Sequence, residues 1–108
     1  MVYELRTYRI PPGRMPDILA RFANTTMRLF ARYQMEVVGF WTDARPEEEY
    51  TLVYLMRFAD EAAQSAAWAA FRADAEWQEA RRTTEANGPI VNEVISRSLV
   101  PTAFSPLQ

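Results

Sequence analysis

Glu4 and Arg6 stand two residues apart in the stretch VYELRTYRI, so any strand built from it shows both on one face. A carboxylate beside a guanidinium can do acid/base work if burial raises the carboxyl pKa. The plainer role is an ion pair inside a packed seam. Few other groups in the chain could do chemistry. Its 108 residues contain no Cys and no His, and all 12 basic residues are Arg. Thiolate nucleophiles, disulfides and Cys metal sites are therefore excluded. The commonest general base and metal ligand is missing, and so is a lysine for a Schiff base. Carboxylates, Tyr, Ser and Thr hydroxyls, guanidinium and backbone groups remain. Arg stays charged and moves protons poorly. No metal or cofactor is expected. The run Glu47-Glu48-Glu49 is acidic enough for a cation, but an unpatterned acidic loop is more often solvated.

Aromatic residues offer a second kind of site. Trp41, Trp68 and Phe22 could wall a cleft, with Tyr3, Thr26 and Tyr54 supplying polar tips. Each also has a plain reading. The aromatics can be core, and the Thr26 hydroxyl can bond back to its own helix.

The elements that must position these residues follow from spacing. Val2–Ile10 reads as a strand stopped by Pro11-Pro12-Gly13. Tyr3, Leu5 and Thr7 share one face; Val2, Glu4, Arg6, Tyr8 and Ile10 share the other. A helix follows, with Pro16 at its first position and Asp17 at its positive end. Met15, Ile18, Leu19, Phe22, Thr26, Leu29, Phe30 and Tyr33 form its apolar stripe, while Arg14, Arg21, Arg28 and Arg32 lie mostly off it. Met35–Thr42 is the second strand, where Gly39 signals a bulge or a close approach. Asp43–Glu49 is an acidic loop, and Tyr50–Phe58 is a strand apolar on both faces. Asp60 caps an Ala-rich helix, with Ala63, Ala67, Ala70 and Phe71 as its expected buried stripe. Asp74 caps a shorter helix over Ala75–Ala86, anchored by Trp77 and ended by Asn87-Gly88. Pro89–Val100 is the last strand, and residues 101–108 are expected to be a fraying tail after a single domain over 1–100.

The order β-α-β-β-α-β predicts an α+β, ferredoxin-like fold: a four-stranded antiparallel sheet in the order 4-1-3-2 with helices on one face. The uncovered face then needs a partner, and an isologous homodimer is the natural one. Glu4, Arg6, Tyr8, Met56, Glu93, Ile95 and Arg97 are assigned to that seam, with Leu5, Val37 and Val53 toward the helices. Alternation alone permits the inverse. A net charge of −2 without a basic stripe argues against nucleic acid. No apolar run reaches a membrane span and no signal peptide is visible, which points to a cytoplasmic protein.

With the elements placed, four ordered motifs stand out: YELRTYRIPPGRMPDILARF at the start, VVGFW at 37–41, YTLVYLMRF at 50–58 and FRADAEW at 71–77. On these the chain resembles the NIPSNAP family within the dimeric α/β-barrel group. The chain departs from that pattern at Gln34, where the family often has Gly after the first helix, and at Ala75, where Pro is usual. The resemblance implies the ferredoxin-like fold, a face-to-face dimer and a ligand cleft between sheet and helices. It supplies no reaction, because the family has no agreed catalytic activity. Three functions stay open. The first is a binder of a small aromatic or apolar compound. The second is a cofactor-independent monooxygenase or isomerase acting on an aromatic or polyketide-like compound. The third is a non-catalytic interaction dimer. A haem-degrading version would have only Tyr as a protein ligand to iron.

Overall fold

In the computed structural model, which describes residues 1–45 and 50–108, β1 (Val2–Arg9) lies between β3 (Thr51–Phe58) and β4 (Glu93–Leu99). Strand β2 (Glu36–Thr42) completes the sheet outside β3, giving the order β2-β3-β1-β4 with every pair antiparallel. This is the expected α+β, ferredoxin-like arrangement. The Glu47–Glu49 run lies outside the described residues.

The first helical rod has three parts. Helix α1 (Met15–Arg21) passes into a π-helical turn (Phe22–Thr26) and on into α2 (Met27–Arg32). The π turn is marked by the Met27 N–H bonding to the Phe22 carbonyl, five residues back. The rod ends at Gln34, the one described non-glycine residue with positive φ (57°). The Met35 N–H returns to the Phe30 carbonyl at 2.8 Å, so an orphan carbonyl of the last turn is satisfied. Helix α3 (Glu61–Ala73) starts where the Asp60 side chain accepts the Ala63 N–H, and α4 (Ala75–Thr84) starts where Asp74 accepts the Trp77 N–H.

The helices cover the sheet face opposite to the one assigned from sequence. Val2, Glu4, Arg6, Tyr8 and Ile10 are buried beneath them, with Leu52, Tyr54, Met56 and Phe58 of β3. They pack on Ile18, Phe22, Leu29, Phe30, Trp68 and Phe71. Full burial of a side chain such as Leu29 or Phe30 contributes about 1.5–3 kcal/mol. Four residues expected in the open seam, Glu4, Arg6, Tyr8 and Met56, are therefore helix-facing. Alternation makes Leu5 and Val53 face away. Glu93, Ile95 and Arg97 do lie on the open face and are exposed. Alternation sorts residues into two sets, but polar partners decide which set is covered. Gln64 and Trp68 of α3 supply donors for Glu4, so its carboxylate can be buried there.

Strand β2 does not keep simple alternation. Its register against β3 shifts between Val37 and Gly39, so Val37 pairs with Met56 while Phe40 pairs with Tyr54. The bulge at Val38 puts Val37 and Phe40 together on the helix side. It leaves Trp41 on the open face, 53% exposed. A Cβ on Gly39 would come within 2.8 Å of the Trp41 ring, so glycine lets that ring lie across the strand.

In α3 the sheet-facing residues are Trp68 and Phe71, with Gln64, Ala67 and Ala70 partly covered; Ala63 is exposed. Residues 101–108 fold back on the open face, where the Tyr3 hydroxyl donates to the Gln108 carbonyl at 3.0 Å. Arg57 Nη2 donates to the same carbonyl at 3.2 Å.

Candidate functional site

Glu4 is the polar hub beneath the helices. Its Oε1 accepts from Gln64 Nε2 at 2.8 Å and from Trp68 Nε1 at 2.7 Å. Its Oε2 accepts from Arg6 Nη1 at 2.8 Å and from Ser96 Oγ at 2.7 Å. Burial alone would raise this carboxyl's pKa. The hydrogen bonds from Gln64, Ser96, Trp68 and Arg6 outweigh it and hold the pKa below its ordinary value. One side chain thereby joins β1, β4 and α3.

Arg6 carries the network inward. Its Nε donates to the Tyr54 hydroxyl at 2.6 Å, and its Nη2 to the Tyr8 hydroxyl at 3.4 Å. The two hydroxyls are 2.9 Å apart. The Arg6 guanidinium lies 4.3 Å from the Trp68 ring centre, a cation–π contact that suits a desolvated charge. Burial raises the Tyr54 pKa well above the ordinary tyrosine value, and neighbouring Tyr8 adds to this against the pull of Arg6. Tyr54 is thus a neutral phenol around it, not a phenolate.

Between this network and the helices lies a cavity of about 270 Å³. Arg6 and Tyr8 form its floor; Phe22, Phe30, Trp68, Phe71 and Trp77 form its aromatic walls. Arg21 and Thr26 enter from the first helical rod, and Arg72, Arg81 and Glu85 stand on α3 and after it. The π turn brings Arg21, Phe22 and Thr26 onto this cavity together. The Thr26 hydroxyl donates to the Arg21 carbonyl at 3.3 Å, so both readings of Thr26 hold. Arg21 stacks over Trp77 at 4.8 Å, and its Nη1 donates to Thr84 Oγ1 at 3.1 Å and to Glu85 Oε2 at 3.4 Å. Its Nε is buried without an acceptor among the described residues. Burial lowers the Arg21 pKa, partly offset by Glu85.

The residues assigned to a cleft from sequence separate here. Phe22, Thr26 and Trp68 line the cavity, and Tyr54 lies behind its floor. Tyr3 and Trp41 are on the other side of the sheet. Glu4, Arg6 and Tyr8 join the cavity side, and Met56 joins the core there. Glu93, Ile95 and Arg97 stay on the open face, Glu93 paired there with Arg9, and the start of β4 borders the cavity's mouth. Arg21 was missed because a regular 3.6-residue period puts it off the stripe. The spacing carries no visible sign of a π turn. Among the described residues no group of three or more carboxylates is placed to hold a metal ion.

A family model, NIPSNAP, matches residues 3–106. The chain belongs to the NIPSNAP family. A solved NIPSNAP domain protein from Burkholderia xenovorans is 26% identical, with 98% of this chain and 99% of that one covered at a TM-score of 0.83. A NIPSNAP family protein from Agrobacterium tumefaciens is 20% identical over 99% and 98% of the two chains, with a TM-score of 0.86. More distantly, a structure from Bordetella bronchiseptica described as a putative antibiotic biosynthesis monooxygenase is 19% identical over 94% and 96%, with a TM-score of 0.65. The last two likenesses are of fold alone. No curated protein matches the sequence.

Proposed function

We propose that this NIPSNAP protein binds a small aromatic compound in the cleft between sheet and helices. The observation that carries this reading is the cavity of about 270 Å³, walled by Phe22, Phe30, Trp68, Phe71 and Trp77 over a polar floor. Ligand sites combine this sort of apolar lining with a few placed polar groups. The test is a thermal-shift and calorimetric screen against aromatic acids, quinones and haem. At least one aromatic compound should raise the melting temperature and bind stoichiometrically. Silence across the panel would leave the cavity a packing feature and favour a protein-interaction role.

Binding is favoured over turnover by the state of the polar groups. An oxygenase or isomerase, as the monooxygenase-like fold neighbours suggest, needs a group that exchanges a proton with substrate. Glu4 is held ionised by four donors, and Tyr54 is held neutral by burial. Neither changes state around neutral pH.

The proposed form is a cytoplasmic homodimer joined through the open sheet face. Support comes from the apolar surface left there, with Leu5, Val53 and Leu55 half-buried and Ile95 and Trp41 exposed. Around them, Arg97 and the Arg9–Glu93 pair (3.2 Å) give a polar rim. Among the described residues no helix is long and apolar enough to cross a membrane. Sedimentation equilibrium at low micromolar concentration should return twice the chain mass; a stable monomer would overturn the dimer.

A further inference from the structure

The hydrogen-bond directions in the cleft can be assigned by elimination. Arg6 Nε can only donate, so the Tyr54 oxygen accepts from it at 2.6 Å. Tyr54 is fully buried, with 0% exposure. Among the described residues its own proton has one oxygen in reach, the Tyr8 hydroxyl at 2.9 Å. Tyr54 therefore donates to Tyr8, since the opposite direction would strand a buried O–H. The Tyr8 oxygen accepts from Tyr54 and, at 3.4 Å, from Arg6 Nη2. Both of its lone pairs are then engaged. The Tyr8 proton has no acceptor among the described residues, and Tyr8 lines the cavity.

Arg21 adds positive charge to the cavity lining. Its side chain is only 6% exposed, and its Nε, buried out of reach of solvent, has no acceptor among the described residues. The cavity's formal charges lean positive: with Arg6 paired to Glu4 (2.8 Å), Arg21, Arg72 and Arg81 stand against Glu85. That carboxylate is engaged with Arg21 and Arg81 (3.4 and 3.2 Å). Arg72 lies 5.4 Å from the Trp68 ring centre and has no carboxylate partner among the described residues.

We infer that the cleft selects an aromatic anion, a flat ring bearing one carboxylate or enolate oxygen group, which takes the Tyr8 hydroxyl as its donor beside the positive charge of Arg21 and Arg72. Arg6 and Tyr54 act as positioning residues that fix the direction in which Tyr8 donates. The inference rests on the proposed use of the cleft for an aromatic ligand and adds the charge of that ligand. A hydroxyl donor in a cavity with unpaired cationic charge would bind an isosteric neutral compound much less well.

The experiment is a calorimetric titration of the full chain at neutral pH with two matched pairs. One pair is 2-naphthoate and 2-naphthamide. The other is 2-hydroxy-1,4-naphthoquinone, an enolate at this pH, and its neutral methyl ether. At least one anion should bind about tenfold or more tightly than its neutral partner, and which pair shows the preference identifies the oxyanion. Tyr8→Phe and Arg21→Gln should each weaken the anion more than its neutral partner and so erase most of that preference. A fold defect would weaken both members alike, so the ratio separates recognition from packing. If one variant does not fold, the other carries the test. Equal binding of anion and neutral partner by the wild type would overturn the charge assignment and leave the aromatic cleft standing. Binding of none of the four compounds would remove both.

Discussion

Replacing Glu4 by Gln tests what ties the sheet to its helices. The wild-type carboxylate accepts four hydrogen bonds of 2.7–2.8 Å, two at each oxygen. An amide offers one oxygen and one NH2. With the NH2 toward Arg6, Ser96 can rotate to accept, but Arg6 Nη1 faces another donor. With the NH2 toward α3, Gln64 can flip to accept, but the Trp68 N–H is orphaned. Either arrangement leaves Arg6 buried without its counter-ion, at a cost of about 3–5 kcal/mol. At roughly 4–8 °C per kcal/mol for a domain of this size, the melting temperature should fall by ~12 °C or more. Urea denaturation followed by tryptophan fluorescence measures the loss. Exposed Glu93→Gln is the control, expected within about 0.5 kcal/mol of wild type. The pH dependence has a definite sign. Hydrogen bonding puts the folded-state pKa of Glu4 below its ordinary 4.5, so its stabilisation is present above that value and fades as pH falls through the depressed one. The gap between wild type and variant should therefore be full at neutrality and narrow in acid. A loss under about 1 kcal/mol at neutral pH would refute the view that this charge holds the layers together.

Three further perturbations have distinct outcomes. Gln34→Gly should stabilise by about 1 kcal/mol in urea melts, since φ is 57° at that helix end and a Cβ is unfavourable there. Asp74 accepts from the Tyr33 hydroxyl, the Trp77 N–H and Arg32, which together hold its pKa down to about 2. Asp74→Asn should lower the melting temperature at neutral pH, with the deficit shrinking only as pH falls from about 3.8 toward 2. Gly39→Ala should push the exposed Trp41 ring off the strand, changing its fluorescence while stability stays within about 0.5 kcal/mol.

The sequence and the structure agree wherever the cause is local. Asp60 and Asp74 reveal themselves as caps because an N-cap carboxylate needs only the N–H three residues ahead. Strand order was legible from the β-α-β-β-α-β succession and the two-sided apolar runs of the central strands. The sheet face was not. Leu5 and Val53 look more like core than Glu4 and Arg6, yet four donors from three elements let the charged pair be covered. Arg21 escaped notice because a π turn displaces it from the helical period, and the Val38 bulge regrouped Val37 with Phe40. Each miss concerns an irregularity or a polar partner distant in sequence.

The π turn also has a consequence for how this cleft can vary among homologues. Its wall is set by the winding of the rod as much as by the identity of its residues. Winding the rod as a regular α-helix with every residue kept would turn its two halves against each other by about 100°. Arg21 and Thr26, five residues apart, would then part company although every side chain of the wall was kept. A single-residue deletion within the turn would instead restore a regular helix with both faces still in register, so the π turn is what lets this rod carry an extra residue without changing the cleft.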